Sequence, residues 1–514
     1  MFNAHLYSDR ASYVQCTLVS GGSLDLEPQM GPKLRPASTT FIPTSDGPPQ
    51  SVIVVNGLMY DAESLAAESP NAPTSARLRL SMSRTRVAYR QWVNAGDVEI
   101  HQQILVAFDI SASLRTTSFN ISDSMSINVN VPRVPRAPNA PYYTPLQEPA
   151  AGTALAKQSE GKAVPKIFQP ITIRGVTFPN RIWVAPMDMY SSDNGAPTAW
   201  HMAHIGGLVT RGAGLTMMEA ASVLPNGRIS PEDAGLWNDE QMAGYKKIVE
   251  FAHSQNQKIG IQIAHAGRKA STRAAWLQSH DFGVGYLVSE EEGGWPNDII
   301  APTAEAWSAK LGNPRELTVA EIADVVDAWK QAARRAVEAG FDVIELHVRS
   351  VIPKDIPLFY RISATEYLEE VAPNEPQWRI EDTVKFAAIL AEHGVDLIDL
   401  SSGGNSEKQK VRRGHLYQVP FAEAVKKAHS DKIMVGAVGG IVNGKDAEGI
   451  LVEKKADVVL VGRNFLKNPA TVTQFAEDLG VDFFQSIQYE WPFFFQRGDS
   501  ILRRAQNVTS LKAL

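Results

Sequence analysis

The stretch Asp342–Ser363, "DVIELHVRSVIPKDIPLFYRIS", holds two strand-like runs with almost nothing between them. The first, Val343–His347, alternates apolar and polar residues; the second, Pro357–Ile362, is apolar and aromatic. Adjacent strands of a parallel sheet need a crossover of about a dozen residues or more, usually a helix. Here only about nine residues separate the two runs. Whether a helix is missing depends on what the rest of the chain builds.

From Pro165 onward, apolar strands alternate with amphipathic helices, the pattern of a parallel α/β sheet. Strands are predicted at Arg181–Met187, Gly214–Ala220, Lys258–His265, Phe341–His347, Pro357–Ser363, Val395–Ser402, Lys432–Gly439 and Asp457–Arg463. Helices follow most of them. Asn238 caps one; Thr318, with Glu321 three residues on, opens another that Gly340 stops. Eight strands predict a (β/α)8 TIM barrel, with seven connecting helices. The helix between strands four and five is the absent one.

The rest of the chain is less regular. Residues 1–135 scatter Ser, Pro and Thr and are expected to form a largely disordered extension, although "SVIVVNGLMY" and "EIHQQILVAFDI" could be strands. Residues 136–164 are proline-rich and expected to be an extended linker; 165–491 are the barrel and 492–514 a tail. The 514 residues are 44% hydrophobic and 21% charged, as in a soluble globular protein. A net charge of −6 without a basic cluster gives no sign of a nucleic-acid partner. The lone cysteine, Cys16, excludes an internal disulfide and a Cys-based metal cluster, which fits a reducing compartment such as the cytoplasm. No apolar run reaches the roughly 18 residues of a membrane span, and the N-terminus lacks the pattern of a secretory signal.

Functional residues of such a barrel sit at the C-terminal ends of its strands. The last two strands end in the glycine-rich turns "GAVGGI" and "VGRNF". Loops there commonly form a phosphate site, and Arg463 can add a bidentate contact. The same glycines could instead serve only tight turns. Gln262 and Arg361, at the ends of strands three and five, offer an amide and a fixed cation to a planar heterocycle with carbonyl and N–H groups. Flavin mononucleotide (FMN) combines such a ring with one phosphate, but other phosphorylated ligands meet the same description.

The phrases "KIFQPITIRGVTFPNRIWVAPM", "WHMAHIGG", "EAASVLPNGRISPEDAGLWND", "KIGIQIAHAGRKAS", "AGFDVIELH", "GVDLIDLSSGG", "AVGGI" and "VGRNFLKNP" occur in order along the barrel. With them, the span from about Asn139 to Trp491 resembles the Old Yellow Enzyme family of FMN-dependent ene-reductases, in its fungal and bacterial "thermophilic-like" NADPH dehydrogenase branch. The resemblance implies FMN over Ala185, Pro186, Met187 and Asp188, with Ala220, Gln262 and Arg361 on the ring. It puts the phosphate at Gly439, Gly462 and Arg463. Tyr190 and His347 would face the substrate, and NADPH or NADH would supply the hydride. It further implies a small-molecule alkene substrate and a homo-oligomer.

Three departures stand out. The family follows the position of His347 with a second substrate-binding His or Asn, then Gly-Tyr, then a long loop and helix. Here Val348-Arg349-Ser350 follow at once. The fourth helix, the second substrate-binding residue and a proton-donating Tyr are thus expected to be missing, as a skipped exon or faulty gene model would produce. Asp188 stands where this branch commonly has Cys. Trp491 stands near the position from which related enzymes send an Arg into a neighbouring subunit's site.

Two functions remain open on these grounds: an NAD(P)H-dependent FMN reductase of enone-type alkenes, and a catalytically impaired or non-catalytic barrel. A metal role for His201 and His204, at helical i, i+3 spacing, lacks a third ligand. His265 reads as structural, and the Trp-rich stretch from Trp276 to Trp307 as lid or packing.

Overall fold

The computed structural model describes residues 135–277, 287–346 and 349–497, together with five strands nearer the N-terminus. The chain forms two compact units, Met1–Asn130 and Val131–Leu514. In the first, Thr39–Phe41, Ser51–Val55 and Leu58–Asp61 make an antiparallel three-stranded sheet, and Arg86–Val93 pairs antiparallel with Ile100–Ala107. Both runs singled out in the sequence thus lie in strands. The expectation of disorder for the rest of 1–135 falls outside the described residues.

The second unit is a closed barrel of eight parallel strands: β1 (Ile182–Val184), β2 (Leu215–Ser222), β3 (Ile259–Ala264), β4 (Val343–Glu345), β5 (Leu358–Ser363), β6 (Leu397–Ser401), β7 (Met434–Val438) and β8 (Val458–Val461). β8 pairs with β1 and closes the ring. The helices are α1 (Ala199–Val209), α2 (Asp239–Ser254), α3 (Val319–Ala339), α4 (Ile380–Glu392), α5 (Val419–His429), α6 (Gly444–Val452), α7 (Arg463–Lys467), α8 (Thr471–Leu479) and α9 (Ile487–Arg497). The expected caps form: Asn238 and Thr318 open α2 and α3 with reciprocal capping boxes, and Gly340, at φ 94°, ends α3.

Alternation along each strand sorts the side chains into two layers. Ile182, Ile261, Ile344, Leu358, Ile398, Val435 and Val459 point outward and pack under the helices. Trp183, Leu215, Met217, Val343, Phe359, Leu397 and Leu460 point inward and fill the lower barrel, where Trp183 stacks on Phe359 with centroids 5.5 Å apart. The hairpin of Ile171–Ile173 and Val176–Phe178 plugs the bottom, with Phe178 against Trp183 at 4.7 Å. The next inward positions up, Gln262, Glu345, Arg361 and Asp399, are polar. The closed apolar underside leaves the C-terminal mouth as the place for chemistry.

Between β4 and β5 no helix forms among the described residues. A single turn, Arg349–Val351, is all that intervenes. β4 and β5 still pair in parallel, Ile344 with Leu358 and Glu345 with Phe359. Arg349 holds the connector at the barrel's base. Its guanidinium donates to the carbonyls of Gly394, Pro353 and Ile356 at 3.1–3.2 Å and to the Asp396 carboxylate at 2.9 Å. Above this turn the outer wall is thin. α3 packs on α2 and α4 on α5, and between them Val319, Ile322, Val326 and Ile389 remain 40–86% exposed.

Two segment assignments change. Residues 136–164 do not run as a free linker. Ala137, Ala140, Gln147, Ala151 and Leu155 are buried, and the Gly152 and Leu155 amides donate to the Phe484 and Asp482 carbonyls. The prolines prevent helix and sheet, but small side chains and these hydrogen bonds still let the segment pack. The boundary placed at 491/492 falls inside α9, which runs through Pro492 to Arg497.

Candidate active site

At the mouth, Ala185, Pro186, Met187 and Asp188 continue from the end of β1. Met187 lies against Gly462 at the end of β8, where an added Cβ would come within 3.4 Å of its sulfur. Asp188 turns toward β2: its Oδ1 accepts from the Ala220 amide at 3.1 Å. Glu219, on the same strand, accepts from the Met189 amide at 2.8 Å and from His201 Nε2 at 3.0 Å. His201 Nδ1 also accepts from the Thr198 amide, so this histidine ties the α1 cap to Glu219.

Asp188, Glu219 and Asp233 bring carboxylate oxygens within 4.8 Å of one another. Burial, and then the Glu219 charge, push Asp188 up to about 6. Burial and then Asp188 raise Asp233 well above the carboxylate range, and its Oδ1 has no partner. Packed this closely, Asp188 and Asp233 each raise the other's affinity for a proton.

Tyr190 follows at φ 47°, a backbone region a bulky residue rarely enters. Its ring meets Trp276 edge-on at 5.4 Å, and burial, with Asp188 beside it, keeps the phenol protonated. Strain at an aromatic hydroxyl beside the mouth is an expected mark of a functional position. Of the Trp-rich stretch, Trp276 is 58% exposed above Tyr190, whereas Trp295 and Trp307 donate to the Asn226 and Gly404 carbonyls and act as packing. His347 lies outside the described residues.

Across the barrel the upper polar layer is tightly knit. Gln262 Nε2 donates to Glu345 Oε1, its register partner on β4. Arg361 Nη1 donates to Asp399 Oδ2 at 2.5 Å, also from register partners. Burial opposes the Arg361 charge, but Asp399, Glu345 and Asp188 more than offset it. Burial, then Asp399, push Glu345 up to about 7, and burial raises Asp399 as well. Glu345 Oε2 and Asp399 Oδ1 are buried without partners. Glu345, Asp399 and Asp233 were not anticipated as site residues. For Glu345 and Asp399 the signal was available: an acid at an alternate position of an otherwise apolar barrel strand must point inward. Asp233 lies in the loop after β2, where no such alternation marks it.

The glycine turns divide in character. Gly439, at φ 105°, has Gln418 Oε1 within 2.4 Å of where a Cβ would sit, so packing and φ alone account for that glycine. Gly462 has an unusual ψ of −89° and more room, and Arg463 beside it is exposed. His265 Nδ1 accepts from the Gly267 amide, and burial depresses its basicity, as for a structural histidine.

The groups present fit FMN. The Gln262 amide and the half-buried Arg361 cation lie near the C-terminal ends of their strands, and the Gly462–Arg463 turn after β8 offers an anion contact. No described helix is long and apolar enough to cross a membrane.

Comparison with known proteins bears on these groups. The chain is 42% identical over 403 residues to NADH:flavin oxidoreductase FG08077 of Gibberella zeae, covering 70% of this chain and 95% of that one. It is 37% identical over 370 residues to an NADPH dehydrogenase of Geobacillus sp., covering 64% and 99%. Among solved structures, a 2-naphthoyl-CoA reductase shares the fold at a TM-score of 0.50 and 17% identity, covering 61% of this chain and 52% of that one. Residues 166–350 and 347–481 match the family described as NADH:flavin oxidoreductase / NADH oxidase. The chain belongs to this family, that of Old Yellow Enzyme: oxidoreductases that bind FMN and draw electrons from NADH or NADPH.

Proposed function

We propose that the site reduces the activated C=C bond of enone-type alkenes, with NADPH as electron donor. The observation that carries this reading is the polar inward layer on a closed apolar floor, with Gln262 from β3 and Arg361 from β5 at the same level of the barrel. Ala185, Pro186, Met187, Asp188 and Ala220 would line the underside of the ring; Gly439, Gly462 and Arg463 would hold the phosphate. When bound, FMN supplies hydride transfer between the nicotinamide and the alkene. Arg361 places a fixed positive charge at the ring's polar end. Tyr190, kept protonated by its surroundings, can donate a hydrogen bond to a substrate oxygen. His347 is assigned to the same task.

A second reading, an impaired barrel, has its own support. The family match comes in two pieces that meet at 347–350. The 403 positions aligned with the Gibberella relative exceed the 70% of this 514-residue chain they span, about 360 residues. The 370 positions aligned with the Geobacillus relative exceed their 64%, about 330 residues, by about the same forty. Both fit one missing segment after His347, which would carry the second oxyanion ligand. Removing one such donor typically costs about 10²–10³ in rate.

The test is direct. Purified protein is expected to be yellow, to lose flavin absorbance on Arg463→Ala or Gln262→Leu, and to couple NADPH oxidation to slow cyclohexenone reduction. Colourless folded protein that takes up no FMN refutes the cofactor sites. Flavin-loaded protein that oxidises NADPH without any alkene turnover favours the impaired reading.

A further inference from the structure

Gln262 can reach a ring with either end of its amide, and the structure shows what decides between them. Its Nε2 is turned onto Glu345 Oε1, and its own oxygen makes no side-chain hydrogen bond among the described residues. An ionised carboxylate only accepts, so it fixes the amide with nitrogen toward Glu345 and oxygen free. A protonated carboxyl can donate to the amide oxygen and so permits the reverse orientation. Glu345 is 2% exposed and its second oxygen has no protein partner, so no neighbouring donor among the described residues overrides that choice.

We propose that Glu345 is a positioning residue: its charge fixes which end of the Gln262 amide faces the ring, and so makes ring affinity depend on pH. The proposal rests on the FMN reading of the site. A flavin ring presents one N–H donor between two carbonyl acceptors. Only an amide with its oxygen free can take that N–H while a nitrogen hydrogen still reaches a carbonyl. The ionised state of Glu345 is therefore the binding state.

The groups facing Glu345 put the transition in the working range. From β6, Asp399 repels its charge; from β5, Arg361 attracts it; from β3, Gln262 donates to it. From β1, Asp188 acts on the same Arg361 and competes for its field. Three buried or half-buried acids thus surround one guanidinium, and they cannot all be ionised cheaply. Burial tips Glu345 to about 7, so the amide is locked above that pH and released below it.

The test is the affinity of the full-length, flavin-stripped protein for riboflavin between about pH 5.5 and 8.5, read by quenching of flavin fluorescence. Riboflavin carries the ring without the phosphate, whose own ionisation near pH 6 would confound FMN. The wild type is expected to bind up to about tenfold tighter at the high end, the worth of one good hydrogen bond, with a midpoint near 7. Glu345→Gln is expected to bind with no pH step, and Gln262→Met to bind weakly and also without one. A step that survives either substitution, or a flat wild-type profile with binding intact, overturns the proposal. Absence of FMN binding at every pH overturns the cofactor reading and this proposal with it.

Discussion

Replacing Asp188 by Asn tests the carboxylate cluster through stability. Asn keeps the shape and can still accept from the Ala220 amide at 3.1 Å, but it carries no charge. Burial and Glu219 raise Asp188 from its ordinary 3.8 to about 6. A group whose pKa is raised by folding stabilises the fold below the unfolded value and loses that stabilisation as pH climbs through the folded one. For Asp188 the loss runs from about pH 4 to just above 6. Roughly two pKa units correspond to about 3 kcal/mol. Asp188 is half-buried and coupled to Asp233, so solvent and coupling reduce this to about 1–2 kcal/mol. The Asn variant is therefore expected to be more stable than the wild type at pH 8, by about that amount. The advantage should fall by about half at pH 5 and vanish near pH 4. Urea unfolding of flavin-free protein, followed by tryptophan fluorescence, measures it. A variant that is no more stable at pH 8, or whose advantage is the same at pH 5, refutes the reasoning.

Two further predictions concern the connector. Arg349→Ala removes a guanidinium that ties three carbonyls and Asp396 together, and is expected to cost about 2–3 kcal/mol in urea unfolding. The cost stays below that of an orphaned buried charge because Arg174 still holds Asp396 at 2.6 Å; a loss under about 0.5 kcal/mol would mean the connector is not anchored there. Inserting the relatives' segment of about forty residues after His347 is expected to raise the unfolding midpoint and cyclohexenone turnover together. Equal turnover with and without the insert would show that the segment is not needed for catalysis.

How far the sequence disclosed this structure follows from which interactions are local. Strand and helix order were legible because barrel strands are apolar on both faces and their helices carry caps, as at Asn238, Thr318 and Gly340. The missing helix was legible because nine residues cannot hide one. The packing of 136–164 was not, because its partners, Asp482 and Phe484, lie over 300 residues away and proline content says nothing of them. Gln262 and Arg361 were found as polar groups at strand ends. Their carboxylate partners were not, because a hydrogen bond between register partners such as Gln262 and Glu345 depends on how two distant strands align. Gly439 shows the opposite limit: its turn looks alike in sequence whether or not a side chain such as Gln418 already fills the place of a Cβ.

The short connector removes structure from one side of the barrel wall only, and this separates two properties that are usually lost together. β4 and β5 pair in register without it, so Val343 and Phe359 still fill the floor, and Glu345 and Arg361 still enter the polar layer above. Among the described residues, the side-chain partners of Gln262 and Asp399 are Glu345 and Arg361, not the connector. What the short connector leaves bare lies outside: Ile322, Val326 and Ile389 stay exposed. Under the proposed function the inner layer would meet the flavin ring, and the loop beyond the strand end would hold a substrate oxygen. On the proposed reading, such a chain keeps the inner polar layer and loses outer-wall cover. Because exposed apolar side chains on α3 and α4 are a colloidal liability rather than a topological one, the barrel closes all the same.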